Sequence, residues 1–198
     1  MRTDDSSRLF VIVFLTDGIP TVGVTDEEEI LSNVSKNNKS NTRIFCFGIG
    51  TDVNTHLLDK ITTQTRASSQ YILPDEDIEV KVSSFFTKIR EPVLAGIKIT
   101  FPDEVKASRI YPTPLPDLFK GDQLVIVGRY SEAGKGKINI QGMLGKEKKN
   151  FDYDGKFPET SSDYDFLPRL WATRRIGFLL DEIRLNGENK ELKDEITE

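Results

Sequence analysis

Seven consecutive apolar residues, Leu9–Leu15 (LFVIVFL), run directly into Thr16-Asp17-Gly18-Ile19-Pro20. An unbroken apolar run of this length, closed by a turn sequence, predicts a strand buried on both faces, as in a parallel sheet. A parallel sheet needs crossover connections, and the chain supplies them. Thr25 or Asp26 is placed to cap a helix whose first turn holds Glu27, Glu28 and Glu29, acids that suit the positive end of the helix dipole. Ile30, Leu31 and Val34 are the apolar positions of that short helix, which gives way to a loop over Lys36–Asn41.

A second apolar run covers Arg43–Ile49 and is closed by Gly48 and Gly50. Asn54 is a candidate cap for a helix with the stripe Leu57, Leu58 and Ile61. Tyr71-Ile72-Leu73 reads as a short third strand, stopped by Pro74-Asp75. Ile78, Val82, Phe85, Phe86 and Ile89 then recur at spacings of three and four, one face of an amphipathic helix. Strand and helix alternate three times, which is the order of an α/β fold with a parallel sheet.

At Glu91-Pro92 the pattern changes. Short strand candidates follow over Val93–Phe101, Arg109–Tyr111, Gln123–Tyr130, Lys137–Leu144 and Asn150–Tyr153. Pro- and Gly-rich stretches separate them, Ala133-Gly134-Lys135-Gly136 among these. The segment reads as an antiparallel β module, small for an independent sandwich and expected to borrow strands from outside the chain. Phe166–Glu195 returns to helix, with Pro168 in the first turn and Gly187 as a stop. The expected division is residues 8–90, 91–160 and 164–198: a partial parallel-sheet domain, a β-rich module and a C-terminal helical segment.

The net charge of -5 argues against a general nucleic-acid binder, because phosphate recognition wants a basic face. The cluster Lys135, Lys137, Lys146, Lys148 and Lys149 is read as solubilising charge around a hairpin. Cys46 is the one cysteine, so no intrachain disulfide is available, and its apolar surroundings make it a small buried hydrophobe. No stretch reaches the roughly 20 apolar residues of a membrane span. The start, Met1–Ser7, is polar, has no signal-peptide core and reads as a cut end.

The residue that carries chemistry is Asp17. A buried strand delivers it to the carboxyl edge of a parallel sheet, where open α/β folds place their ligands. A carboxylate there can reach a hard divalent cation, although Mg²⁺ and Ca²⁺ each demand six or more oxygens. The remaining candidates read blandly. His56 has no second His or Cys at ligand spacing and is expected in a surface or capping role. Asp152-Tyr153-Asp154-Gly155 lacks the downstream acid of a calcium loop and is read as a turn. Gly48-Ile49-Gly50 lacks the third glycine of a dinucleotide fingerprint, and Trp171 is read as core. Asn33-Val34-Ser35 and Asn38-Lys39-Ser40 match glycosylation acceptors, which matter only in a secretory protein. No nucleophile–base pair or nucleophile elbow is visible, so no catalysis is expected.

The apolar strand ending in Thr16-Asp17-Gly18 resembles the fourth strand and metal loop of von Willebrand factor A domains. Phe45-Cys46-Phe47-Gly48-Ile49-Gly50, then Asp52-Val53-Asn54 and Leu57-Leu58, resembles the next strand and helix. Phe85–Ile89 leading into Pro92-Val93-Leu94, and Phe166-Leu167-Pro168-Arg169-Leu170-Trp171-Ala172, resemble the branch formed by inter-alpha-trypsin-inhibitor heavy chains and their bacterial relatives, which join a VIT domain to a von Willebrand factor A domain. The resemblance implies the C-terminal half of such a domain: an α/β fold with a partial doubly wound parallel sheet, a small antiparallel β module and a C-terminal helix. It implies that Asp17 matches one ligand of a metal-ion-dependent adhesion site. The family's DxSxS loop is absent, since Asp4-Asp5-Ser6-Ser7 has the letters at the wrong spacing. The site is therefore expected to be incomplete here, with Mg²⁺ or Ca²⁺ held only if ligands N-terminal to this sequence complete it.

The resemblance further implies a non-catalytic protein-binding or adhesion module with a protein ligand, in an extracellular, periplasmic or cell-surface setting. Self-association through an exposed sheet edge is a further expectation. The alternative is an intracellular assembly or chelatase-type accessory that works with an ATPase.

Overall fold

A computed structural model of the chain describes residues 10–39, 42–90, 92–187 and 190–197. The polar start Met1–Ser7, with its Asp4-Asp5-Ser6-Ser7 letters, lies outside the described residues, as do Leu9, Ser40 and Glu91. The chain forms two compact units. The first runs to Lys98 and takes in Pro114–Leu124 and Gln141–Asn150; the second comprises Ile99–Thr113, Val125–Ile140 and the chain from Phe151 onward.

In the first unit, β1 (Val11–Thr16), α1 (Glu27–Asn37), β2 (Arg43–Ile49), α2 (Thr55–Gln64), β3 (Ser69–Ile72) and α3 (Ile78–Ile89) follow one another as the apolar periodicity predicts. The three strands pair in parallel in the order β1-β2-β3, with Val13 opposite Phe45 and Gly48 opposite Tyr71. Each helix begins at a side-chain cap. Asp26 accepts from the Glu29 N–H, Asn54 from the Leu57 N–H, and Asp77 from the Glu79 and Val80 N–H groups. A cap of this kind is worth about 1 kcal/mol.

The core gathers on β2. Phe45 and Phe47 on one face meet Phe85 of α3 edge-on, with ring centroids 5.0 and 4.8 Å away, and Phe119 closes on Phe45 at 5.6 Å. Ile72 completes this cluster, and Val11, Val82 and Ile89 pack around it. Such aromatic pairs contribute roughly 0.5–1.5 kcal/mol each beyond their burial. Four residues of α2 are buried, namely Leu57, Leu58, Ile61 and Thr62.

One expectation is corrected here. The run Leu9–Leu15 was expected to be an inner strand, yet the inner strand is β2 and β1 stands at the end of the sheet. Ile12, Val13, Phe14 and Leu15 keep between 39% and 47% of their surface exposed. An apolar run reports that a strand wants burial on both faces; it does not report whether a neighbouring strand is there to provide it.

The remaining strands are β4 (Pro92–Thr100), β5 (Ser108–Tyr111), β6 (Leu118–Phe119), β7 (Val127–Arg129), β8 (Gly134–Leu144) and β9 (Glu147–Phe157). They form a four-stranded sheet, β6-β4-β8-β9, and the antiparallel pair β5-β7. Several boundaries differ from the sequence reading: β6 is an additional strand, and β9 runs unbroken through Asp152–Gly155, which the sequence reads as a turn. Gly134–Gly136 opens β8 rather than breaking the chain, and Gly136 serves there because a Cβ would sit 2.6 Å from Pro102 Cγ. The strand expected over Gln123–Tyr130 contracts to Val127–Arg129. In the second unit α4 (Leu167–Asn186) starts with Pro168 in its first turn and stops at Gly187, where φ is 82°. It is followed by α5 (Lys190–Thr197). Among the described residues, no helix is long and apolar enough to cross a membrane.

Candidate functional site

β1 carries Asp17 to the carboxyl end of the parallel sheet, and the side chain is exposed. The turn that holds it is tied by its neighbour. Thr16 Oγ1 lies 3.3 Å from the Gly18 carbonyl, to which it donates, and 3.4 Å from the Gly18 nitrogen, from which it accepts. The Asp17 carboxylate is not consumed in the turn, and among the described residues nothing pairs with it.

The same end of the sheet carries the first turns of α1 and α2, because each helix follows a strand that ends there. Glu27 bridges them. Its Oε1 accepts from Asn54 Nδ2 at 2.7 Å, and its Oε2 lies 2.6 Å from His56 Nδ1. His56, the only histidine, is thus the partner of a carboxylate at a helix–helix junction. Sequence reading placed Glu27 only as a dipole-matching acid; its bridging role depends on α1 and α2 lying side by side, which the local pattern does not encode.

A hard cation needs about six oxygens. Both Glu27 oxygens are engaged, and no group of three His, Cys, Asp or Glu among the described residues is arranged to hold a metal ion. The described residues therefore do not fit a complete Mg²⁺ or Ca²⁺ site, and Asp17 offers a single carboxylate.

A second polar cluster lies between α2 and β3. Asp59 Oδ1 accepts from Ser69 Oγ and from the Tyr71 hydroxyl at 2.6 Å, and that hydroxyl also lies 2.9 Å from the Thr55 carbonyl. Burial, and then the bond to Asp59, push the Tyr71 phenol upward. Burial, and then the Asp59 charge, push the Cys46 thiol up to about 12. This environment suppresses ionisation of the phenol and the thiol instead of activating them, and the one histidine is at the Glu27 junction. A cleft of about 160 Å³, lined by Phe45, Arg66, Lys88, Asp117, Phe119 and Asp122 among others, is small beside the several hundred Å³ of typical small-molecule sites.

The fold is that of a von Willebrand factor A-type α/β protein. A von Willebrand factor type A protein from Catenulispora acidiphila superposes with a TM-score of 0.52 at 16% identity, over 91% of this chain and 50% of that one. In sequence the chain is similar to inter-alpha-trypsin inhibitor heavy chains. It is 26% identical to heavy chain H2 of Sus scrofa across 98% of its own length, 26% to heavy chain H4 of Homo sapiens across 87%, and 28% to heavy chain H6 of Homo sapiens across 91%. It spans 22%, 20% and 15% of those three proteins. No protein-family model matches the chain.

Proposed function

We propose that the chain is a protein-interaction module that engages a protein ligand and performs no catalysis. The observation that carries this reading is the similarity to heavy chains along nearly the whole sequence, on a von Willebrand factor A-type sheet whose carboxyl end presents an unengaged carboxylate, Asp17. In this reading Asp17 is the rim contact. It takes part in cation-dependent binding only where further oxygen ligands come from outside the described residues. The proposed setting is extracellular, periplasmic or at a cell surface. The exposed β1 edge is proposed to pair with a second copy at high concentration, since unpaired strand edges template such contacts.

The test has two arms. Calorimetric titration with Mg²⁺, Mn²⁺ or Ca²⁺ is expected to show no saturable site tighter than about millimolar, because one free carboxylate is too few ligands. Tight stoichiometric binding removed by Asp17→Ala would overturn the incomplete-site reading. In the second arm, purified extracellular proteins are screened against the immobilised chain. A saturable ligand that loses at least tenfold affinity on Asp17→Ala supports the rim, and a ligand indifferent to that change removes Asp17 from the interface. Saturable turnover of a peptide or ester substrate would refute the non-catalytic assignment.

A further inference from the structure

In the second unit, one carboxylate is gripped by two guanidinium groups. Arg175 of α4 presents Nε at 3.0 Å to Glu195 Oε1 and Nη2 at 2.6 Å to Oε2, the two-pronged match that a planar guanidinium makes with a carboxylate. Arg109 of β5 adds Nη1 at 2.9 Å from Oε1. The third Arg175 nitrogen, Nη1, donates to the Tyr111 hydroxyl at 2.8 Å.

The Arg175 guanidinium, Tyr111 and the Arg109 backbone are held by contacts that do not involve α5. Arg175 also lies over the Phe178 ring at 5.6 Å, and Tyr111 packs against the same ring. Arg109 has a left-handed backbone, φ 48°, and its carbonyl accepts from Trp171 Nε1 at 3.1 Å. Arg129 lies over the Trp171 ring at 5.1 Å and adds a second contact to that indole. Arg175 therefore keeps its place if its occupant leaves, and the Arg109 backbone stays beside it, so two positive charges face one vacated position.

The occupant is the less secure partner. α5 has eight residues, and helices shorter than about 12 residues are marginal in water without docking. It follows Gly187, whose φ of 82° marks a sharp exit from α4. The site opens to solvent: the Arg109 side chain is 45% exposed and that of Glu195 27%.

We propose that Arg109, Arg175 and Tyr111 form a recognition site for a carboxylate on an acidic helical segment of a partner protein, and that α5 occupies it in cis through Glu195. The resident helix defines what fits: a short amphipathic helix, acidic at Glu191, Asp194 and Glu195, that presents one side-chain carboxylate to the arginine pair. This site uses neither Asp17 nor a cation, so a chelator leaves it intact, and it stands or falls separately from the rim reading.

The test uses the full chain and a fluorescent peptide of sequence KELKDEITE, the chain's own last nine residues. Glu195→Gln is expected to bind the peptide at least tenfold more tightly than the wild type, because the cradle is vacated. A peptide with Gln in the position of Glu195 is expected to lose that gain, and so is adding Arg175→Gln or Arg109→Gln to the Glu195→Gln chain. Far-ultraviolet dichroism confirms that each variant remains folded, and the Arg109 variant serves if the half-buried Arg175 variant does not. Equal peptide affinity of wild type and Glu195→Gln, or equal binding of the two peptides, overturns the proposal. A wild-type dimer that dissociates on Glu195→Gln identifies the occupant as a second copy and overturns the assignment to a partner protein.

Discussion

Arg43 and Asp117, 74 residues apart in sequence, form an ion pair at 2.6 Å, with the Asp117 side chain completely covered. Arg43 opens the central strand β2, and Asp117 lies in the segment that leads into β6. The second Asp117 oxygen accepts from the Gly96 N–H at 2.7 Å, and the Asp117 N–H donates to the Arg66 carbonyl. Asp117 thus joins β2 and β4 through its carboxylate and the loop after α2 through its backbone. Removing one member of a buried pair strands the other charge, which costs about 3–5 kcal/mol. Asp117→Ala is expected to lower unfolding stability by that amount in urea titrations. Arg43→Met with Asp117→Leu is expected to recover most of it, because no charge is then left uncompensated. A loss below about 1 kcal/mol for Asp117→Ala would mean that the pair is not buried in solution.

Gly48 has its face covered by an aromatic ring. A Cβ there would fall 2.7 Å from Tyr71 Cδ1 and 3.1 Å from Val53 Cγ2. The ring cannot simply swing aside, since its hydroxyl is anchored at Asp59 and the Thr55 carbonyl. Gly48→Ala is expected to cost about 1–3 kcal/mol, the usual range for overpacking a filled core. Adding Tyr71→Ala is expected to remove the clash term, so the two changes should be strongly non-additive in a double-mutant cycle. Additivity would show that the glycine serves something other than that approach.

Much of the first unit was legible because its signals are local. Asp26 and Asn54 sit where caps must sit, and Ile78–Ile89 carries a helical period over its whole length. What was not legible depends on partners distant in sequence. Nothing in LFVIVFL distinguishes an edge strand from an inner one. Glu27 acquires its role only when α1 comes beside α2. Trp171, read as core, is only half-buried and instead docks α4 by a hydrogen bond to Arg109 and the cover of Arg129. Arg109, Arg175 and Glu195 come from three separate elements, and no spacing rule joins them. Asp17 was found because a strand-to-turn junction is itself a sequence signal, yet what accompanies it at the rim is set by the fold.

The Glu195 carboxyl is held below the usual carboxylate range, chiefly by its hydrogen bonds to Arg175 and further by the charge of Arg109. A lowered folded value means that the contribution is complete above the unfolded value, near 4.5, and is lost as pH falls through the folded value. The groups facing it are Arg175 and Arg109, and the Tyr111 hydroxyl accepts from the far side of Arg175. Trp171 is the only tryptophan, and its indole is bonded to the Arg109 backbone, so its emission reports on this corner of the unit. A wild-type emission transition is expected below pH 4.5 and should be absent in Glu195→Gln. An identical acid transition in both would assign it to other carboxylates.

Cys46 supplies a final, global readout. It is completely buried on β2, with its thiol pushed up from 9.0 to about 12 by burial and by Asp59. The thiolate is the reactive form, so at pH 8 the folded protein holds almost none of it. Labelling with a disulfide reagent is therefore expected to wait for unfolding, and its rate should rise in step with the destabilisation caused by Asp117→Ala. The raised value also fixes the sign of the alkaline effect. Below pH 9 both states keep the proton and the contribution to stability is complete. From there to about pH 12 only the unfolded thiol ionises, so stability should fall as pH rises. Cys46→Ala is expected to reduce that alkaline slope while leaving the neutral-pH fold intact. Fast labelling of the native protein at pH 8, uncorrelated with stability, would show that β2 opens locally and is not the innermost strand of the sheet.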